Sequence, residues 1–127
     1  MAIQRILIVD DSPTERYFLS DILIKNGFSV STAINGEEAL QKILADKPEL
    51  ILMDVVMPGQ NGYQVTRAIT RNPATQDVPI IMCTSKGQET DRIWGMRQGA
   101  KAYLVKPIDP AELLKKIALI AEAASHG

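Results

Sequence analysis

Two rhythms of apolar and polar positions alternate along the chain. Short unbroken apolar runs recur at RILIV (Arg5 to Val9), LILM (Leu50 to Met53), VPIIMC (Val78 to Cys83) and AYLV (Ala102 to Val105). Runs this short, with no helical period, predict strands buried on both faces. FSVSTA (Phe28 to Ala33) alternates more and predicts a strand nearer the sheet edge. Between the runs lie segments with helical spacing and clear punctuation. Ser12-Pro13-Thr14-Glu15 reads as a capping box with proline at the first helical position, and Gly27 stops that helix. Its Phe18, Leu19, Ile22 and Leu23 are predicted to face inward. Asn35-Gly36-Glu37-Glu38 caps a second helix carrying Leu40, Ile43 and Leu44, which ends before Pro48. A third starts near Asn61-Gly62, packs Val65 and Ile69, and stops at Asn72-Pro73. A fourth spans roughly Glu89 to Gln98 and ends at Gly99. Asp109-Pro110-Ala111-Glu112 caps a fifth, which carries Leu113, Leu114, Ile117 and Ile120.

Regular alternation of short strands with helices implies a mostly parallel sheet covered on both faces. The predicted fold is a doubly wound, flavodoxin-like (βα)5 domain with strand order 2-1-3-4-5. In such sheets a ligand binds beyond the carboxyl ends of the strands, where the winding reverses, here between strands 1 and 3. The 127 residues suffice for one domain with a core, so residues 1–127 are expected to form a single unit with no effector domain after it. A net charge of -1 leaves no electrostatic footprint for nucleic acid. No apolar segment reaches transmembrane length or resembles a signal peptide, and a single cysteine, Cys83, makes neither an internal disulfide nor a zinc site, so a cytoplasmic protein is expected. Cys83 reads as a small core residue, and His126, in the short tail SHG, as solvated.

One position breaks the pattern. In ELILMDVVMPGQNG, Asp54 interrupts an apolar run at the tip of a core strand, where an unpaired carboxylate costs several kcal/mol, as an order of magnitude. The predicted fold supplies its company: Asp10 and Asp11 end strand 1, Thr84 ends strand 4, and Lys106 ends strand 5. Each has a plainer reading alone. Asp10 and Asp11 suit a helix cap, Thr84 and Ser85 a strand-end turn, and Lys106 an apolar stem with a solvated head. Their coincidence at one edge points to a site. Crowded carboxylates call for a shared proton or a cation, and oxygen-only ligands with room for water suit Mg²⁺. Magnesium, an ammonium and a hydroxyl together stabilise a phosphoryl group in transfer, with Asp54 as the carboxylate nucleophile. Neither GxxxxGKS/T nor GxGxxG is present, so the phosphoryl group is expected from an external donor.

ILIVDDS, LILMDVVMPGQNG, PIIMCTS and QGAKAYLVKP, in this order and spacing, resemble the receiver domains of bacterial two-component response regulators over essentially the whole chain. The resemblance implies Asp54 as phosphoacceptor, Mg²⁺ held by Asp10, Asp11, Asp54 and the Val56 carbonyl, and Lys106 paired with the phosphoryl group. It also implies Thr84 as the switch hydroxyl, Tyr103 as a switch aromatic turning inward as Thr84 moves, and a cis Lys106-Pro107 bond. The implied donor is a histidine kinase. Output is implied through contact of a protein target with the face of the fourth helix, fifth strand and fifth helix, on a monomer or a weak, activation-dependent dimer. The subfamily resembled is the stand-alone regulators of chemotaxis-type and twitching-motility pathways, which catalyse only their own phosphorylation and dephosphorylation. Ile108 replaces a frequent phenylalanine, implying a different output surface, and Ser85 a frequent alanine. Val56 and Lys86 occupy positions that influence phosphoryl lifetime. Gly95 marks the fourth helix as the moving element, or else lets a neighbour pack closely; Trp94 beside it is the expected reporter. Alternatives are a phosphate sink or relay intermediate, a receiver-like module that is never phosphorylated, and a flavin or small-molecule binder, which only 5% aromatic residues disfavour.

Overall fold

A computed structural model describes residues 2–126. Five strands, β1 (Arg5–Val9), β2 (Ser29–Ala33), β3 (Leu50–Met53), β4 (Ile80–Thr84) and β5 (Ala102–Val105), alternate with five helices, α1 (Pro13–Lys25), α2 (Gly36–Ala45), α3 (Gly62–Arg71), α4 (Glu89–Arg97) and α5 (Pro110–His126). The strands form one sheet in the order β2-β1-β3-β4-β5, with every pairing parallel. This is the expected doubly wound arrangement, with the alternating strand β2 at an edge.

The period-two alternation of strand side chains divides the core in two. Leu7, Val9, Ile51, Met53, Ile80 and Met82 point to the face covered by α2 and α3. Ile6, Ile8, Leu50, Leu52, Ile81 and Cys83 point to the face covered by α1 and α5. Burying each such aliphatic side chain contributes about 1.5–3 kcal/mol, which makes the central strands a rigid platform for whatever projects from their ends.

The caps form largely as the sequence predicts. Ser12 Oγ accepts the Glu15 N–H at 3.3 Å, and Asn61 Oδ1 accepts the Gln64 N–H at 3.0 Å while Gln64 Oε1 accepts the Asn61 N–H at 3.0 Å. One inward assignment is corrected: Phe18 is exposed, because α1 presents a narrower buried stripe of Leu19, Ile22 and Leu23; on α2, Leu44 is likewise exposed and Ala39 and Ile43 are buried. β4 begins at Ile80, not Val78, and extends through Thr84. Ile108 is also corrected: it is buried with Leu113 and Ile117, so its departure from phenylalanine changes the core under α5 and not the surface. α5 continues through the expected tail, and the side chain of His126 lies outside the described residues.

Candidate phosphoryl and metal site

Backbone pairing carries the sheet one residue beyond its strands and so fixes the site. The Asp10 N–H donates to Ala33 O at 3.1 Å, the Asp54 N–H to Val9 O at 2.9 Å, and the Lys106 N–H to Thr84 O at 2.8 Å. Three chain-distant polar residues thereby inherit the register of the sheet. α3 packs against the same edge: a Cβ at Gly62 would stand 2.0 Å from the Asp54 carbonyl oxygen, while the Gly62 N–H donates to Val55 O at 2.9 Å. Only glycine allows this approach, which explains the NG that follows Asp54 in sequence.

One carboxylate oxygen from each of Asp10, Asp11 and Asp54 lies within 4.8 Å of the others. Asp10 and Asp54 are buried, whereas Asp11 is exposed and opens the cluster to solvent. Asp10 also satisfies its plainer role, since its Oδ1 accepts the Ser12 N–H at 2.9 Å and its carbonyl accepts from Arg16 Nη1 at 2.8 Å. Asp54 Oδ1 accepts the Val55 N–H at 2.8 Å. Lys106 Nζ reaches Asp10 Oδ2 at 2.8 Å and Asp54 Oδ2 at 3.5 Å, and the Lys106-Pro107 bond is cis.

The electrostatics are unbalanced. Burial, followed by the charge of Asp10, holds the Asp54 carboxyl above the ordinary carboxylate range, against the opposing pull of Lys106, Thr84 and the Val55 N–H. Burial alone would lower the Lys106 ammonium, but its hydrogen bond to Asp10 and the charges of Asp54 and Asp10 overturn that and leave it raised. Three carboxylates against one ammonium leave two negative charges in excess when all are ionised. That donor set, hard oxygens with a solvent-facing member, fits a divalent cation such as Mg²⁺.

Thr84 is fully buried at the end of β4, and its Oγ1 accepts the Lys86 N–H at 3.3 Å. Val56, two residues past Asp54, is exposed. Tyr103 makes none of the contacts to the acids; it is already turned inward, and its hydroxyl donates to Lys86 O at 2.6 Å. The plainer reading of Gly95 also has a physical basis, since a Cβ there would lie 3.0 Å from the Tyr103 ring and from Met82 Sδ. Cys83 is buried in the α1 and α5 face of the core, and burial holds its thiol well above its ordinary value.

Sequence reasoning passed over Tyr63. Its hydroxyl donates to Asp91 O at 3.1 Å and lies 3.4 Å from the Tyr103 hydroxyl. The available signal was a tyrosine directly after the glycine that opens a helix, on the side that packs towards the sheet.

The family model of the response regulator receiver domain matches residues 6–118. Protein PilH of Pseudomonas aeruginosa is 52% identical over 113 residues, which cover 89% of this chain and 93% of PilH. The transcriptional regulatory protein ResD of Bacillus subtilis is 39% identical over 122 residues, and there the chain spans 50% of the relative's length. The solved structure of the chemotaxis protein CheY4 of Vibrio cholerae superposes with a TM-score of 0.86 at 34% identity, covering 94% of this chain and 99% of that one. Among the described residues no helix is long and apolar enough to cross a membrane.

Proposed function

The chain belongs to the response regulator receiver domain family, and on that premise we propose that Asp54 accepts a phosphoryl group from the phosphohistidine of a histidine kinase. The observation that carries this reading is the gathering of Asp10, Asp11, Asp54 and Lys106 from three strand ends into one cluster. Asp54 Oδ1 is occupied by the Val55 N–H, so Oδ2 is the oxygen available to attack. A new O–P bond forms there as the N–P bond breaks, and the departing electron pair stays on the donor imidazole.

Lys106 holds Oδ2 in place before transfer and neutralises a phosphoryl oxygen afterwards. Thr84 is the hydroxyl we assign to a second phosphoryl oxygen. A bound Mg²⁺ would supply the remaining charge neutralisation, and Asp10, Asp11, Asp54 and the Val56 carbonyl are the groups assigned to it. The new group adds about -1.5 to -2 charge, which Thr84 and Tyr103 relay to α4, β5 and α5 as the surface met by a protein target.

Similarity to PilH along almost all of that protein, and to a chemotaxis protein, supports output by contact with a protein target in a motility or chemotaxis-type pathway of the cytoplasm. Incubation with a small acyl phosphate and Mg²⁺, followed by intact mass, tests the assignment. One phosphoryl group is expected on the wild type and none on Asp54→Asn; an equal gain on both overturns it.

A further inference from the structure

Tyr63 and Tyr103 bring two phenol hydroxyls together 3.4 Å apart in the interior, one from α3 and one from β5. Each hydroxyl has one proton to give. Tyr103 gives its proton to Lys86 O at 2.6 Å, which leaves its oxygen free to accept. Tyr63 faces two acceptors, Asp91 O at 3.1 Å and the Tyr103 oxygen. The pair therefore ties α3 to both ends of the segment that follows β4: Lys86 in the loop and Asp91 in the first turn of α4.

The slot for the Tyr103 ring depends on its other walls as well. At Gly95 a Cβ would come within 3.0 Å of the ring, and Met82 Sδ lies at the same distance from that point. Tyr63 in turn is anchored to the phosphoacceptor, because its neighbour Gly62 abuts the Asp54 carbonyl. A short physical path thus runs from the Asp54 backbone through the first turn of α3 to the Tyr103 hydroxyl, separate from Thr84.

We propose that Tyr63 is a positioning residue for the switch, its hydroxyl holding Tyr103 inward and so pre-setting the β4–α4 loop before any phosphoryl group arrives. The inference rests on the receiver reading above and extends it to a residue outside the acids, the lysine and the threonine. Burial, with the Tyr63 hydrogen bond next, holds the Tyr103 phenol far above its ordinary value, so Tyr103 enters the contact as a neutral hydroxyl.

The state that accepts a phosphoryl group is then partly populated in advance, and removing the bias must weaken binding of a phosphoryl mimic by the lost fraction. Beryllofluoride with Mg²⁺ is the probe, titrated against wild type, Tyr63→Phe, Tyr103→Phe and the double variant by amide NMR. Tyr63→Phe keeps the ring and should bind about three- to tenfold more weakly, the span of one net hydrogen bond. Adding Tyr63→Phe to Tyr103→Phe should cost less than Tyr63→Phe costs alone, as coupled partners require. Equal affinity of Tyr63→Phe and wild type, or strictly additive losses, overturns the role of Tyr63 alone. A wild type that does not bind the mimic brings down the receiver reading and this inference with it. A measurement on the unaltered protein guards against a variant that folds badly: side-chain NMR should place Tyr103 inward without the mimic, and a mainly outward ring contradicts the proposal.

Discussion

Lys106 Nζ stands 2.8 Å from Asp10 Oδ2, across ninety-six positions of sequence (|i−j| = 96). Strand register sets this contact up, since each residue lies one step past a strand of the same sheet, and the long Lys106 side chain reaches across the ends of the intervening β3 and β4. The ammonium also lies 3.5 Å from Asp54 Oδ2, so it is the cation that makes two buried acids tolerable. Lys106→Ala should cost about 1–3 kcal/mol of stability, the usual penalty for stranding a buried polar partner. It should also slow phosphoryl uptake on the order of tenfold or more. Chemical denaturation and the rate of adduct formation read the two effects separately.

Asp54 should make the metal-free protein less stable as pH rises. Its carboxyl is raised by burial and by Asp10, so the folded state holds that proton more tightly than the unfolded chain does. Stability therefore falls as pH climbs from the ordinary aspartate range through the raised value, and levels off above it. Asp54→Asn removes this dependence. Denaturation midpoints measured against pH should show the variant gaining on the wild type across that interval and keeping a lead on the order of 1 kcal/mol beyond it. A constant difference at all pH values contradicts the assignment.

Mg²⁺ should raise the thermal midpoint, because a ligand that binds only the folded state stabilises it by mass action. Asp11 is the exposed member of the acid cluster and stands outside the core, so Asp11→Ala should fold normally yet lose most of that shift. Calorimetry with and without the metal separates the two. An undiminished shift in Asp11→Ala means the metal binds elsewhere.

Gly62→Ala should be far worse than an ordinary surface change. The added methyl would meet the Asp54 carbonyl at 2.0 Å, so either α3 or the Asp54 backbone must move. A loss of about 2 kcal/mol or more is expected, together with slower phosphoryl uptake. Gly59→Ala, where a Cβ meets nothing within 4 Å, is the control for a glycine outside the contact, although its positive φ adds strain of its own. Denaturant titration of both variants checks the difference.

The fold was legible because strand and helix patterns are local. Ile6 to Val9 and Leu50 to Met53 show their burial directly, and the alternation implies a parallel sheet, for which 2-1-3-4-5 is the common order at this size. Asp54 was legible as an anomaly, since a carboxylate at the tip of an apolar run has few reasons to be there. Helix faces were harder: Phe18 and Leu44 fit the helical period, but the sheet offers a stripe too narrow to cover them. Ile108 looked like a surface substitution because its burial depends on where α5 lies, which no local pattern encodes. The role of Tyr63 was hidden for the same reason, as its partners Asp91 and Tyr103 meet it only after α3, α4 and β5 have packed. Gly95 had two readings in sequence, and the Tyr103 ring beside it gives close packing a physical basis.

The most direct test maps the modified residue itself. After reaction with an acyl phosphate, borohydride reduces an aspartyl phosphate to homoserine, which peptide mass spectrometry locates. Homoserine at position 54, formed only with Mg²⁺ present, is the predicted result. Homoserine at Asp10 or Asp11, or none anywhere under conditions that leave the protein folded, contradicts the assignment of Asp54 as phosphoacceptor.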